Sequence, residues 1–282
     1  MQTVKAALED AFAAIDRIDA QVLMAHALGV DRAWLVANPM RILTESEDAR
    51  VDMLVARRAL GQPVAYIVGR REFYGRDFSV GPEVLIPRPE TETLVEAALA
   101  DLDSRAAGSG PPTVLDLGTG SGAIAVTLAC ERPGPRIVAT DSSVEALGVA
   151  RENARAHGVD SRIELAAGSW YGAVPGRRFD LIVANPPYVA CGDAHLADGD
   201  LRFEPGQALT DGSADGLDSI RAIVAGARGH LAPGGALLFE HGYDQAEAVA
   251  RLLAAAGFAD PISISDLAGI PRVAGVKMER AS

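Results

Sequence analysis

Cysteine is scarce in this chain of 282 residues. Cys130 and Cys191 belong to no CxxC pair and no finger spacing, which argues against a disulfide framework and leaves two free thiols. His157, His195 and His241 likewise form no metal-ligand signature, so no metal is expected. Long uncharged apolar runs are missing too. The opening residues Met1 to Lys5 soon meet Glu9, Asp10 and Asp16, unlike a secretory signal, and no stretch has the length to cross a bilayer. A cytoplasmic protein is the expectation. Positive charge is also in deficit, with a formal net charge of -12. Wrapping a nucleic acid draws on many phosphate-neutralising side chains, so no stable nucleic-acid partner is expected, although a local basic groove is compatible with this balance. Residues 1–75 hold 9 basic and 10 acidic side chains and the remainder 17 and 28. The nearly neutral front is therefore the more plausible face for a nucleic-acid-associated partner.

Apolar side chains are abundant, at 49%, enough for one large α/β domain and a smaller companion. In the front segment Val4, Ala7, Leu8, Phe12 and Ile15 recur at helical spacing. Ile18–Leu28, Ala33–Val36 and Val51–Leu60 predict further helices, with Asp31 as a cap and Thr44 with Glu47 as a capping box. From Arg71 to Val84, Phe73, Phe78 and Val80 around Gly75 and Gly81 predict a hairpin connector. Pro89 fits the first turn of a helix through Leu94–Leu102, and Ala107 to Pro112 breaks the chain. Strands are then expected at Val114–Leu117, Ile137–Thr140, Ile163–Ala166, Phe179–Ala184 and Ala236–Glu240. Helices centre on Ile124–Ala129, Val144–Ala156, Leu217–Ala227 and Gln245–Ala256, and Ile262–Ile264 and Val273–Met278 close the sheet. That alternation predicts a twisted, largely parallel sheet covered on both faces.

The segment from Val114 to Gly122 runs an apolar strand into the glycine loop Gly118-Thr119-Gly120-Ser121-Gly122, with a helix behind it. Glycine lets backbone turn tightly and approach a ligand. Asp141 ends the next strand, where a carboxylate can grip ribose hydroxyls. Gly118, Gly120 and Ala123 also satisfy the permissive dinucleotide pattern, so this loop alone leaves a methyl donor and a dinucleotide both open. Asp116 suits a supporting role at the donor's methionine end or a cap on the loop. Trp170 suits either the face of an adenine or the core.

Asn185-Pro186-Pro187-Tyr188 follows the strand Phe179–Ala184 directly, on the same rim as the glycine loop. Its prolines remove two backbone donors and stiffen the turn. A planar amide or amino nitrogen is a poor nucleophile because its lone pair is delocalised. Bonding its hydrogens to the Asn185 side-chain oxygen and the Pro186 carbonyl would align it with a sulfonium methyl carbon and favour positive charge developing on nitrogen. Tyr188 would stack on the acceptor or wall the pocket. Direct transfer of this kind needs no metal and no covalent intermediate. The motif does not separate an adenine amino group from a glutamine amide.

Beyond these segments, Gly61-Gln62-Pro63-Val64-Ala65-Tyr66-Ile67-Val68-Gly69, Glu72-Phe73-Tyr74-Gly75, Leu85-Ile86-Pro87-Arg88-Pro89-Glu90-Thr91-Glu92 and Phe203-Glu204-Pro205 with Ala208-Leu209 complete a pattern. Over most of its length the chain resembles the bacterial peptide chain release factor N5-glutamine methyltransferase family. The resemblance implies a helical substrate-binding domain over residues 1–70, a hairpin connector over 71–88, and a seven-stranded, Rossmann-like class I methyltransferase domain over 89–282. It implies S-adenosylmethionine as donor and the glutamine of the Gly-Gly-Gln loop of class I release factors as acceptor. Gly118, Thr119, Gly120, Ser121, Gly122, Asp141, Trp170 and Asn185 would then line the donor site. Asn185, Pro186, Pro187 and Tyr188 would hold the acceptor, with Asn185 and Pro186 catalytic.

Other residues admit two readings. Arg88 and Glu90 either position the donor and acceptor or pair with each other to organise a helix start. Glu240 either lines the cofactor rim or faces solvent, and Phe203-Glu204-Pro205 either shapes the acceptor pocket or packs locally. Cys191-Gly192-Asp193-Ala194 departs from many relatives and leaves its loop shape open. An adenine-amino methyltransferase and a non-catalytic factor-binding scaffold remain the competing functions.

Overall fold

The computed structural model describes residues 2–105, 110–197 and 199–279. The break expected between Ala107 and Pro112 therefore lies partly outside the described residues. Two compact units emerge, one formed by Met1–Arg70 with Ala197–Phe203, the other by Arg71–Leu196 with Glu204–Ser282.

The first unit is helical: α1 (Val4–Ala14), α2 (Arg17–Leu28), α3 (Arg32–Ala37), α4 (Glu45–Ala59) and α5 (Val64–Val68). Asp16 and Asp31 cap α2 and α3 through their carboxylates, accepting from free backbone N–H groups. Thr44 and Glu47 form the reciprocal capping box at α4, and Arg41 grips the same Glu47 carboxylate with bonds of 2.9 and 2.7 Å. Leu23, Met24, Leu43, Val51, Leu54 and Ile67 form the core. The five-residue α5 escapes sequence reading because it is too short to show a helical period. Residues 197–203 join this unit, unlike the expectation that all of 89–282 is one domain. Asp200 accepts from Arg58 at 2.6 Å, and Arg202 donates to the Leu60 carbonyl at 2.7 Å.

The second unit opens with the hairpin of β1 (Arg70–Phe73) and β2 (Arg76–Ser79). Its two turn residues, Tyr74 and Gly75, take φ of 51° and 72°, the geometry that matches strand twist in a two-residue turn. Phe73 and Phe78 are buried in the sheet unit's core. The Asn153 side chain accepts from Ser79 N at 2.7 Å and donates to the Ser79 and Ser121 carbonyls. The hairpin is thus a packed part of this unit, more than a connector.

A 3-10 turn at Pro89–Thr91 then leads into α6 (Glu92–Asp103). The remaining elements are β3 (Thr113–Leu117), α7 (Ala123–Glu131), β4 (Arg136–Asp141), α8 (Val144–Ala156), β5 (Ile163–Ala167), β6 (Phe179–Ala184), α9 (Gly206–Leu209), α10 (Asp218–His230), β7 (Leu231–Glu240), α11 (Ala246–Ala255), β8 (Ile262–Ser265) and β9 (Pro271–Lys277). The strand order is β5-β4-β3-β6-β7-β9-β8. β5 to β7 pair in parallel, and β9 runs antiparallel between β7 and β8. One cluster on each face covers the sheet, which is why β3 and β6 read as nearly unbroken apolar runs. The chain reverses its winding direction between β3 and β6, and a crevice opens there at the strands' carboxyl ends.

Candidate active site

Within the second unit, a cavity of about 320 Å³ sits at that crevice. Gly118, Thr119, Gly120, Ser121, Asp141, Trp170 and Asn185 all line it. Gly118 and Gly120 hold φ of 71° and 55°, a conformation that costs a side-chain-bearing residue about 1–2 kcal/mol. The Asp141 carboxylate accepts from Gly120 N and Ser143 N, both at 2.9 Å. Strand end, loop and the start of α8 therefore meet at one fixed anion. Trp170 takes φ of 46°, an outlier for so bulky a residue. It both lines the cavity and packs on the core cluster.

Gly122 does not line the cavity. It caps α7 at φ 80°, and a Cβ there would sit 3.2 Å from Ala150 Cα, so the glycine lets α7 and α8 pack closely. Asp116 is fully buried and accepts from Thr119 Oγ1 at 2.7 Å, tying down the loop. Its second oxygen has no partner, and burial pushes its carboxyl up to about 7.

Asn185 lies at the carboxyl end of β6, and Pro187 also lines the cavity. The Asn185 amide nitrogen donates to Thr91 Oγ1 at 3.0 Å, and Thr91 Oγ1 donates to Glu240 Oε2 at 2.7 Å. Tyr188 turns its hydroxyl onto Glu240 Oε1 at 2.9 Å. Pro186 is buried, and neither it nor Tyr188 is a cavity-lining side chain. Glu240 fixes the Tyr188 hydroxyl. Burial, and secondarily the Glu240 charge, pushes that phenol well above the ordinary range. The turn is further pinned where Gln245 donates to the Tyr188 carbonyl at 2.9 Å. Gly216 passes so close that a Cβ would lie 2.2 Å from that same oxygen.

Glu240 corrects both of its sequence readings: at 1% exposure it neither faces solvent nor lines the cavity. Arg88 corrects another, because its partner is the buried Glu204 instead of Glu90. Glu204 also accepts from Ile86 N at 2.9 Å, so the Leu85–Arg88 stretch is fastened to it and Arg88 is left on the cavity wall. Thr91, the hydroxyl between Asn185 and Glu240, was visible in the sequence only as part of a longer resemblance. Among the described residues, no group of three or more His, Cys, Asp or Glu could hold a metal ion, and no helix is long and apolar enough to cross a membrane.

The residues fit an S-adenosyl group chemically: a fixed carboxylate able to meet ribose hydroxyls, an indole beside the glycine loop, and a glycine loop lining the cavity. A seven-stranded sheet with one antiparallel strand near its edge, bearing this site at its switch point, defines a class I S-adenosylmethionine-dependent methyltransferase. Comparison with known proteins narrows the class. Residues 1–69 match a family model described as the PrmC N-terminal domain, and residues 96–199 match one described as the Methyltransferase small domain. The chain is 54% identical over 269 residues to the release factor glutamine methyltransferase of Burkholderia pseudomallei, covering 94% of this chain and 93% of that one. It is 52% identical to the enzyme of the same name from Bordetella pertussis, covering 93% and 94%. A solved structure of the Thermus thermophilus 16S rRNA N2 G1207 methyltransferase superposes with a TM-score of 0.54 at 22% identity, covering 74% of this chain and 50% of that one, a likeness of fold. The chain belongs to the release factor glutamine methyltransferase family.

Proposed function

We propose that this chain transfers the methyl group of S-adenosylmethionine to the side-chain amide nitrogen of the glutamine in the Gly-Gly-Gln loop of class I peptide chain release factors. The observation that carries this reading is a likeness running through both units: it covers more than nine tenths of relatives named for that activity. The helical unit over residues 1–70 then engages the release factor, a cytoplasmic partner.

S-adenosylmethionine supplies an electrophilic methyl carbon on a sulfonium sulfur, which leaves as a neutral thioether. Asp141 would hold the ribose hydroxyls, Trp170 would cover the adenine, and the backbone of Gly118 to Ser121 would follow the rest of the donor. Asn185, which borders the donor cavity, presents its side-chain oxygen to one acceptor hydrogen, and the Pro186 carbonyl takes the other. Pro187 keeps that turn stiff, and Tyr188 anchors it through Glu240. These acceptors bind most strongly as nitrogen gains positive charge, so they stabilise the transition state more than the ground state. The methylated nitrogen is acidic and gives up its proton without a dedicated strong base.

The test offers labelled S-adenosylmethionine to the purified protein with a class I release factor, DNA and RNA together. Label on the release factor is expected. Label on nucleic acid with none on the factor would overturn the reading in favour of an adenine acceptor, and label on nothing would favour a binding scaffold.

A further inference from the structure

We propose that Glu240 and Thr91 act as a polarity relay that sets which end of the Asn185 amide faces the acceptor. This rests on Asn185 being the acceptor-binding residue. An asparagine amide has a donor end and an acceptor end of almost equal size, so packing alone does not choose between them. Here the hydrogen-bond chain makes the choice. Glu240 is buried and receives two hydroxyls, Thr91 at 2.7 Å on one oxygen and Tyr188 at 2.9 Å on the other. A carboxylate can only accept, so Thr91 must spend its single proton on Glu240. What remains on Thr91 is a lone pair, which only the NH₂ end of Asn185 can satisfy, at 3.0 Å. The amide oxygen is thereby left as the end available to a ligand in the cavity that Asn185 and Thr91 both line. An acceptor nitrogen carrying two hydrogens needs that oxygen and would be repelled by the NH₂ group.

Burial raises the cost of an ionised Glu240, and the two donated hydroxyls oppose that cost. The two hydroxyls that Glu240 orients are thus also the groups that favour its charged form. Thr91 and Glu240 touch neither reacting atom and are positioning residues. The relay predicts an unusual response to a nearly isosteric change. In Glu240→Gln only one of the two hydroxyls keeps its acceptor; when the amide oxygen stays on Tyr188, the new NH₂ donates to Thr91 Oγ1. The Thr91 proton is freed to bond the Asn185 oxygen, and the Asn185 amide turns over.

The experiment measures kcat, KM for each substrate, donor affinity and melting temperature with a class I release factor and S-adenosylmethionine. Glu240→Gln is expected to lower kcat by about 100-fold with donor affinity and melting temperature close to the parent. Thr91→Val, which removes the relay hydroxyl, is expected to lower kcat less, and Thr91→Ser to restore most of that loss. Glu240→Gln combined with Thr91→Val should be no slower than Glu240→Gln alone, because the reversed signal no longer reaches Asn185. Parent-like kcat in folded Glu240→Gln, or independent multiplication of the two losses, would overturn the relay. Should Glu240→Gln not fold, equal kcat for Thr91→Val and Thr91→Ser would overturn it. Asn185→Ala serves as the control: if that variant keeps its activity, the role of Asn185 itself fails, whereas its inactivity beside an active Glu240→Gln refutes the relay alone.

Discussion

Asp141 shows how much one side chain can organise. Its carboxylate already accepts from two backbone N–H groups, so it is fixed before any donor arrives, and its remaining lone pairs are available to ribose hydroxyls. Asp141→Ala should weaken S-adenosylmethionine binding about 10- to 100-fold while leaving release-factor affinity near the parent. Calorimetry showing unchanged donor affinity would remove Asp141 from the ribose role. Asp116, tied to the same loop through Thr119, is fully buried. Burial raises its carboxyl from 3.8 to about 7. Between those values the folded chain keeps a proton that the unfolded chain has lost, so Asp116 makes stability fall as pH rises through that window. Asp116→Asn should shrink the stability difference between about pH 5 and about pH 8 by up to a few kcal/mol. Buried Glu240, also shifted upward, adds a slope of the same sign, while His26 and His241, both shifted downward, add one of the opposite sign. Denaturant unfolding at the two pH values checks this, and an unchanged slope would contradict it. Asp141 and Asn185 were legible in the sequence because each ends an apolar strand. Thr91 and Glu240 were not, since they meet across 149 positions and no local spacing joins them.

Elements were legible wherever their period was long and their neighbours polar. Strand β6 and helix α8 begin and end where the apolar pattern places them. Strand β7 starts at Leu231, earlier than the expected Ala236, because Pro233, Gly234 and Gly235 interrupt the apolar run without ending the strand. The antiparallel setting of β9 had no local signature either, since an apolar strand reads alike in both directions. The junction of α7 and α8 makes a prediction at this scale. Gly122 combines φ of 80° with close approach to Ala150, so Gly122→Ala should cost about 1–2 kcal/mol from backbone strain, with any added crowding increasing it. A melting curve superimposable on the parent's would show that the helices yield freely at this point.

For the whole molecule, fold class followed from the strand–helix alternation, and the sheet order places the glycine loop and the Asn-Pro-Pro-Tyr turn on adjacent strands β3 and β6. The grouping of Asp200 and Arg202 with the helical unit has no local signature, because their ties to Arg58 and Leu60 are formed at long range. Acceptor identity is the property least visible in local chemistry, since adenine and glutamine offer the same planar NH₂. It came from the length of the family likeness, which includes the helical unit. The most direct measurement is therefore mass mapping of a class I release factor after incubation with this protein and S-adenosylmethionine, beside a factor whose Gly-Gly-Gln glutamine is replaced. One methyl on that glutamine, and none on the replaced factor, is the predicted result. Methyl groups at other residues, or equal modification of both factors, would contradict the account.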